Sequence, residues 1–141
     1  PPEAVAGWAE RIAGARKNGM AAGVEATIDR WFSPGFVKSA AAIVDPVRDM
    51  IRKTPVEGYC GCGAAIAQLN VTPRLGAIKA PTLVIVGEDD PGTPVAMSEI
   101  MAKGIPGAEL VILPVARHLA NLEDPKGFND ALLAFLKRHA G

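Results

Sequence analysis

The sequence predicts an α/β fold in which a helical segment is followed by a short parallel sheet, and three observations carry that expectation. TLVIV (82–86) and ELVIL (109–113) are aliphatic runs, apolar on both faces, as strands covered on both sides in a parallel sheet are. Each is followed by a segment of helical period, so strand, helix, strand, helix forms a βαβ unit whose two strands run parallel. The first ~70 residues instead repeat their apolar positions with helical spacing and show no strand-like alternation.

Taken in order, Val5, Trp8, Ala9 and Ile12 recur at i, i+3, i+4 and i+7 and give a first helix one apolar face, stopped at Gly19. Met20, Val24, Ile28 and Trp31 form a second stripe, broken by FSPGF, where proline and glycine interrupt helical hydrogen bonding. DPVRDMIRK predicts a new helix with Asp45 as cap and Pro46 at its first position. TPVEGYCGCGAAIAQL reads as another helix, weakened by three glycines. After the first strand, Thr93 and Pro94 supply a cap and a first helical position, and the helix leaves through a glycine-rich exit. Asp124 caps the final helix before Pro125, and Phe128, Ala131, Leu132, Phe135 and Leu136 form its apolar face.

The bulk properties narrow the function classes. With 141 residues, one compact domain is the default, and 49% hydrophobic against 21% charged residues excludes a disordered chain. Fifteen basic residues balance fifteen acidic ones with no stripe of Lys and Arg, so no nucleic-acid partner is expected. Apolar runs stop at strand length, far below the ~20 residues of a membrane helix, so no membrane partner is expected. No basic segment leads into an apolar one at the start, which predicts a cytoplasmic protein, although PPEAV lacks an initiator methionine and the N-terminus can be a cut. Cys60 and Cys62 form a C-x-C with both histidines far away in sequence; they read as two packed, reduced thiols rather than a zinc site.

Two parallel strands, apolar on both faces, are not a stable sheet alone, because their faces need helices and their edges need neighbours. The chain is therefore expected to be part of a larger sheet whose remainder is missing, lies on a second chain, or is replaced by self-association through the unpaired strands.

In open α/β sheets, ligands and catalytic groups gather beyond the carboxyl ends of the strands. GEDDPGTP and PVARHLANLE occupy those two positions, and adjacent strands stand about 4.8 Å apart. Asp89 or Asp90 can orient an imidazole there, and His118 can serve as the base. The plainer alternatives are a simple turn at DDPGTP and a structural loop histidine at His118. A base needs something to activate, and neither Ser33 in FSPG, Ser39, nor Ser98 in a helix interior looks like a nucleophile. His139, at a helix end, has a favourable place in the helix dipole and no assigned chemistry.

APTLVIVGEDDPGTP and GAELVILPVARHLANLEDP resemble the last two strand–loop units of α/β-hydrolases. The resemblance makes Asp90, which completes a G-x-x-D pattern from Gly87, the acid of a catalytic triad, with Asp89 a bystander and His118 the histidine. GWAERIAGARKNGMAAGVEATIDRWFSPGF and TPVEGYCGCGAAIAQLN are similar to the lid segment and following helix of 3-oxoadipate enol-lactonases, which hydrolyse an enol-lactone in the β-ketoadipate branch of aromatic degradation. The resemblance implies a partial α/β-hydrolase fold: a helical cap over residues 1–54, and over 55–141 the C-terminal part of the core with its last two parallel strands. It implies a small-molecule ester or lactone substrate and no metal or organic cofactor. The family's G-x-S-x-G elbow does not occur in these 141 residues. The expectation is that serine and oxyanion donors belong to an absent N-terminal half of about 120 residues or to a second chain, and that this chain alone has no esterase activity. A non-catalytic interaction module and another carboxylic-ester hydrolase of the same fold are the competing readings.

On the same resemblance, Trp31 and Phe32 are candidates for an apolar pocket wall, with a core anchor on the Val24–Ile28 stripe an equal alternative for Trp31; Trp8 reads as core. Arg30 and Arg117 read as solvated, with contact to a substrate carboxylate as the alternative. Asn121 and Glu123 are expected to organise the loop after His118.

Overall fold

A computed structural model describes residues 2–139, with side chains from residue 5 onward. The chain forms two compact units, Pro1–Ile28 with Ala40–Asn70 and Asp29–Ser39 with Val71–Gly141.

The first unit is helical. α1 (Pro2–Asn18) ends where Gly19 adopts φ +74°, the left-handed conformation that glycine reaches without steric cost. A short 3-10 turn, Met20–Gly23, leads into α2 (Val24–Trp31), whose Val24 and Ile28 are buried. α4 (Ala41–Lys53) and α5 (Val56–Ala67) complete the unit. α1 packs on α5, and the approach is close enough that a β-carbon on Gly63 would lie 2.8 Å from the Trp8 ring. Trp8 also meets Tyr59 at 6.1 Å between ring centroids and carries Arg11 over its face.

Several expectations are corrected in this unit. The buried side of α1 is Trp8, Ile12 and Ala15; Val5 and Ala9 are exposed. Asp45 does not cap a helix, because α4 starts four residues earlier. Its first turn is closed by the Ala40 carbonyl accepting from Ile43 and Val44, and Pro46 lies inside the helix. The cost is one backbone donor, set against burial of Val44 and Ile51 two turns apart. The carboxylate of Asp45 turns instead to Arg48, which also pairs with Glu25. Of the two thiols, both free, only Cys60 is packed, its Sγ 3.8 Å from the Ile12 carbonyl; Cys62 is exposed. Two residues apart on a helix point to nearly opposite sides, so one C-x-C cannot bury both.

The second unit holds the sheet. α3 (Pro34–Ser39) follows the end of α2; then come β1 (Leu83–Gly87), α6 (Val95–Gly104), β2 (Glu109–Leu113), α7 (Ala120–Glu123) and α8 (Pro125–His139). β1 and β2 pair in parallel, from Leu83 against Glu109 to Gly87 against Leu113. α6 and α8 each contact both strands. Val84 and Val86 are buried, while Leu83 and Ile85 of the alternate face line an apolar groove of about 360 Å³ with Phe128, Leu132, Phe135 and Leu136 of α8. Asp124 caps α8 through a bond from the Gly127 N–H at 2.9 Å, with Pro125 at the first position. His139 packs on Phe135, with Nε2 3.6 Å from Glu109. Among the described residues, no helix is long and apolar enough to cross a membrane.

Candidate functional site

The site is built where the two strands end. β1 finishes at Gly87, and its ladder continues into the next loops: Glu88 N–H donates to the Leu113 carbonyl at 2.8 Å and Asp89 N–H to the Ala116 carbonyl at 3.0 Å. The loop after β2 is thus pinned against the loop after β1. This places the imidazole of His118 over Asp90, with Nδ1 2.8 Å from Oδ2. Asp89 is exposed and contributes its backbone only.

Asp90 is only 5% exposed, and its carboxylate is filled on all sides. Oδ1 accepts from the Gly92 N–H (2.7 Å) and the Thr93 N–H (3.0 Å), and Oδ2 accepts from the Thr93 hydroxyl (2.7 Å) as well as from His118. The loop closes on its own aspartate, as an Asx turn does. Burial pushes the Asp90 pKa up, but the Thr93 hydroxyl, His118 and the two backbone N–H groups outweigh it and hold the pKa below its ordinary value. An ionised carboxylate can only accept, so Nδ1 of His118 is the donor and Nε2 of the neutral ring keeps a lone pair. The pair joins a buried acid (side chain 3% exposed) to an accessible base (38% exposed).

Thr93 was expected to cap α6. The structure reports otherwise: Pro94 precedes the helix with no side-chain cap, because the Thr93 hydroxyl is committed to Asp90 and lies 3.4 Å from His118 Nδ1. The D-x-x-T spacing is the sequence signal that could have revealed it. Thr93→Val is expected to lower stability at pH 7 by on the order of 1.5–3 kcal/mol, the worth of a hydrogen bond to a charged group. Because the folded pKa of Asp90 is depressed, its contribution is complete above the ordinary carboxylate value and is lost as pH falls through the folded one. The gap between parent and variant in urea unfolding should therefore narrow on acidification below about pH 4; a gap that widens would contradict this role for Thr93.

Trp31 lies against the base, with ring centroids 6.3 Å apart and planes inclined by 27°, within the range of aromatic contact. Phe32 is fully buried and stacks on Phe36, so it is a core side chain rather than a pocket wall. Arg117 is half-buried: its Nη1 donates to the Asp29 carbonyl, and its Nε is buried with no hydrogen-bond partner. Glu123 accepts from the backbone of Arg117 and Ser33, while Asn121 is exposed on α7. Ser98 is buried inside α6.

One residue beside the base is strained. Val115 holds φ +62° and is 67% exposed. A β-branched residue is an outlier in the left-handed region and costs about 1–3 kcal/mol there. The ladder extension at Glu88 and Asp89, and the Glu88 carboxylate that receives the Val115 N–H at 3.4 Å, hold it in place. Val115→Gly is expected to raise stability by about 0.5–1 kcal/mol, since glycine removes the strain but costs chain entropy. An unchanged or lowered urea midpoint would show that the conformation is not strained.

Comparison with known proteins agrees with this architecture. The model of the alpha/beta hydrolase fold family matches residues 35–125. The 3-oxoadipate enol-lactonase 2 of Acinetobacter baylyi is 35% identical over 131 residues, 93% of this chain and 49% of that protein. The crystal structure of an enol-lactonase from Burkholderia xenovorans LB400 matches with a TM-score of 0.89 and 32% identity, over 92% of this chain and 50% of that one. A hydrolase from Pseudomonas aeruginosa PA01 matches with a TM-score of 0.88 and 37% identity, over 94% and 50%. The chain spans about half the length of these relatives. With a two-stranded parallel βαβ unit carrying an Asp–His pair at its strand ends, and a family match over most of its length, the chain belongs to the α/β-hydrolase fold family.

Proposed function

We propose that this chain is the lid and acid–base portion of a carboxylic-ester or lactone hydrolase, similar in substrate to 3-oxoadipate enol-lactonases. The observation that carries the reading is the 2.8 Å contact between buried Asp90 and accessible His118 at adjacent strand ends. In this reading a serine from outside these 141 residues attacks the lactone carbonyl. His118 takes the serine proton on Nε2 and later activates water, while Asp90 fixes the tautomer and stabilises the imidazolium that forms. Backbone N–H groups from the nucleophile portion stabilise the tetrahedral oxyanion. The chemistry requires no metal or organic cofactor. Residues 1–54 act as the helical lid and 55–141 as the C-terminal part of the core, in a cytoplasmic enzyme. Trp31, packed against His118, supplies an apolar wall beside the base.

The names of the relatives support the lactone, and the carbonyl chemistry is common to all esters. The test is an assay of a polypeptide carrying this chain together with its nucleophile portion, on the enol-lactone and on simple aryl esters. Preferential turnover of the lactone is expected. Faster hydrolysis of aryl esters would refute the lactone assignment, and turnover of neither would refute the hydrolase. The 141-residue chain by itself is expected to hydrolyse neither, having a base without nucleophile or oxyanion donors.

A further inference from the structure

The position of His118 against Trp31 is not set by any helix or sheet ladder. The segment from Asp29 to Ser33 meets the segment from Arg117 to Glu123 through a small set of irregular bonds. Leu119 N–H donates to the Trp31 carbonyl at 3.0 Å, and the Arg117 guanidinium donates to the Asp29 carbonyl. A third crossing bond ends on a half-buried carboxylate that also ties down its own segment: Glu123 Oε1 accepts the Ser33 N–H at 2.8 Å, and Oε2 accepts the Arg117 N–H at 2.6 Å. These donors lie one residue before His118 and two residues after Trp31.

We propose that Glu123 is a positioning residue that holds the Trp31 ring in register over the base, by clamping the backbone beside each of them with one carboxylate oxygen. A carboxyl group suits the task, because both partners are N–H donors and each of its two oxygens can accept. Glutamine would set its own N–H₂ against one of the two, and alanine would leave both without an acceptor. Glu123 is itself placed by α7, where its N–H bonds to the Leu119 carbonyl at 3.1 Å, so the clamp and the base share one short turn. The catalytic consequence rests on the hydrolase reading; the coupling of the two rings does not.

The test reads the coupling directly. In a Trp8→Phe background Trp31 is the only indole of the 141-residue chain, and a protonated imidazole against an indole quenches its fluorescence. A His118-dependent step in fluorescence is expected on acidification, and His118→Gln should abolish it. Of the groups facing the same imidazole, Asp90 has its pKa held below the ordinary carboxylate value, and the Thr93 hydroxyl carries no titrating charge. Glu123→Gln should remove more than half of the step with the far-UV circular dichroism intact. A parent without a His118-dependent step, or a Glu123→Gln protein with the full step, would overturn the proposal. If Glu123→Gln does not fold, Glu123→Asp decides, since it keeps the charge but is one methylene short: a reduced step supports the clamp and a full one overturns it. Should neither fold, amide exchange at Ser33 and Arg117 in the parent decides, slow at both or at the free rate.

In the enzyme assay Glu123→Gln should lower kcat about tenfold with KM little changed, as expected for a misplaced base rather than a lost substrate contact. Failure of the hydrolase reading would appear as an inactive parent, while the fluorescence step would still answer for Glu123.

Discussion

Gly87→Ala is expected to lower stability by about 3 kcal/mol, at the upper end of what overpacking usually costs, and to reduce turnover in the assembled enzyme by on the order of 100-fold. The reason is space, since Gly87 is not among the glycines with positive φ. A β-carbon placed there falls within 2.6 Å of the Ala116 carbonyl carbon and closer still to the carbonyl oxygens of Ala116 and Arg117. These are backbone atoms, held by the bond from Asp89 and by the Glu123 clamp on Arg117, and they cannot swing aside as a long side chain would. To admit one methyl group, the loop carrying His118 must lift off the end of β1, and the imidazole moves with it. Urea unfolding and turnover should fall together. A Gly87→Ala protein with the parental midpoint would mean that the loop is loose, and that the distance between Asp90 and His118 is not enforced by the strand ends.

This position shows where sequence reasoning stops. That TLVIV ends at a glycine is plain in the sequence, but the need for glycine comes from a loop 30 residues away whose approach no local pattern encodes. The strands, their parallel pairing and the meeting of His118 with an aspartate are legible, because apolar runs, βαβ handling and the strand-end rule are local or topological. Asp89 and Asp90 are indistinguishable at that level; the turn DPGT, which wraps Gly92 and Thr93 round the second carboxylate, separates them. Thr93 allows two uses, because a threonine before Pro-Val is also a good helix cap, and only the tertiary demand of Asp90 decides between them. The start of α4 departs from its local signal for a similar reason. Asp-Pro is a strong start signal, yet burial of Val44 and Ile51 carries the helix back through Ala41. Glu123 was legible as a loop organiser, but not its partners, one of which lies 90 residues earlier.

Asp90→Asn should abolish most activity in the assembled enzyme, by a factor of about 10,000, the size seen when a triad aspartate is neutralised. Here the local geometry dictates how. Asparagine has one oxygen and one N–H₂ for two sets of neighbours. On the Oδ1 side stand the N–H groups of Gly92 and Thr93, fixed backbone donors that can only be met by oxygen. The N–H₂ group is therefore driven to the Oδ2 side, against the Thr93 hydroxyl and His118 Nδ1, both of which can turn acceptor. Donating to Nδ1 forces the ring proton onto Nε2, so the base presents a hydrogen where it must present a lone pair. The fold should survive, since every buried group keeps a partner, and the loss should fall on kcat rather than on KM. His118→Ala should cost a similar factor, and the double variant little more than either single one, because an imidazole in the wrong tautomer is already a missing base. Near-normal turnover in Asp90→Asn, or losses that multiply in the double variant, would mean that the two residues do not act as one unit and that the acid–base assignment is wrong.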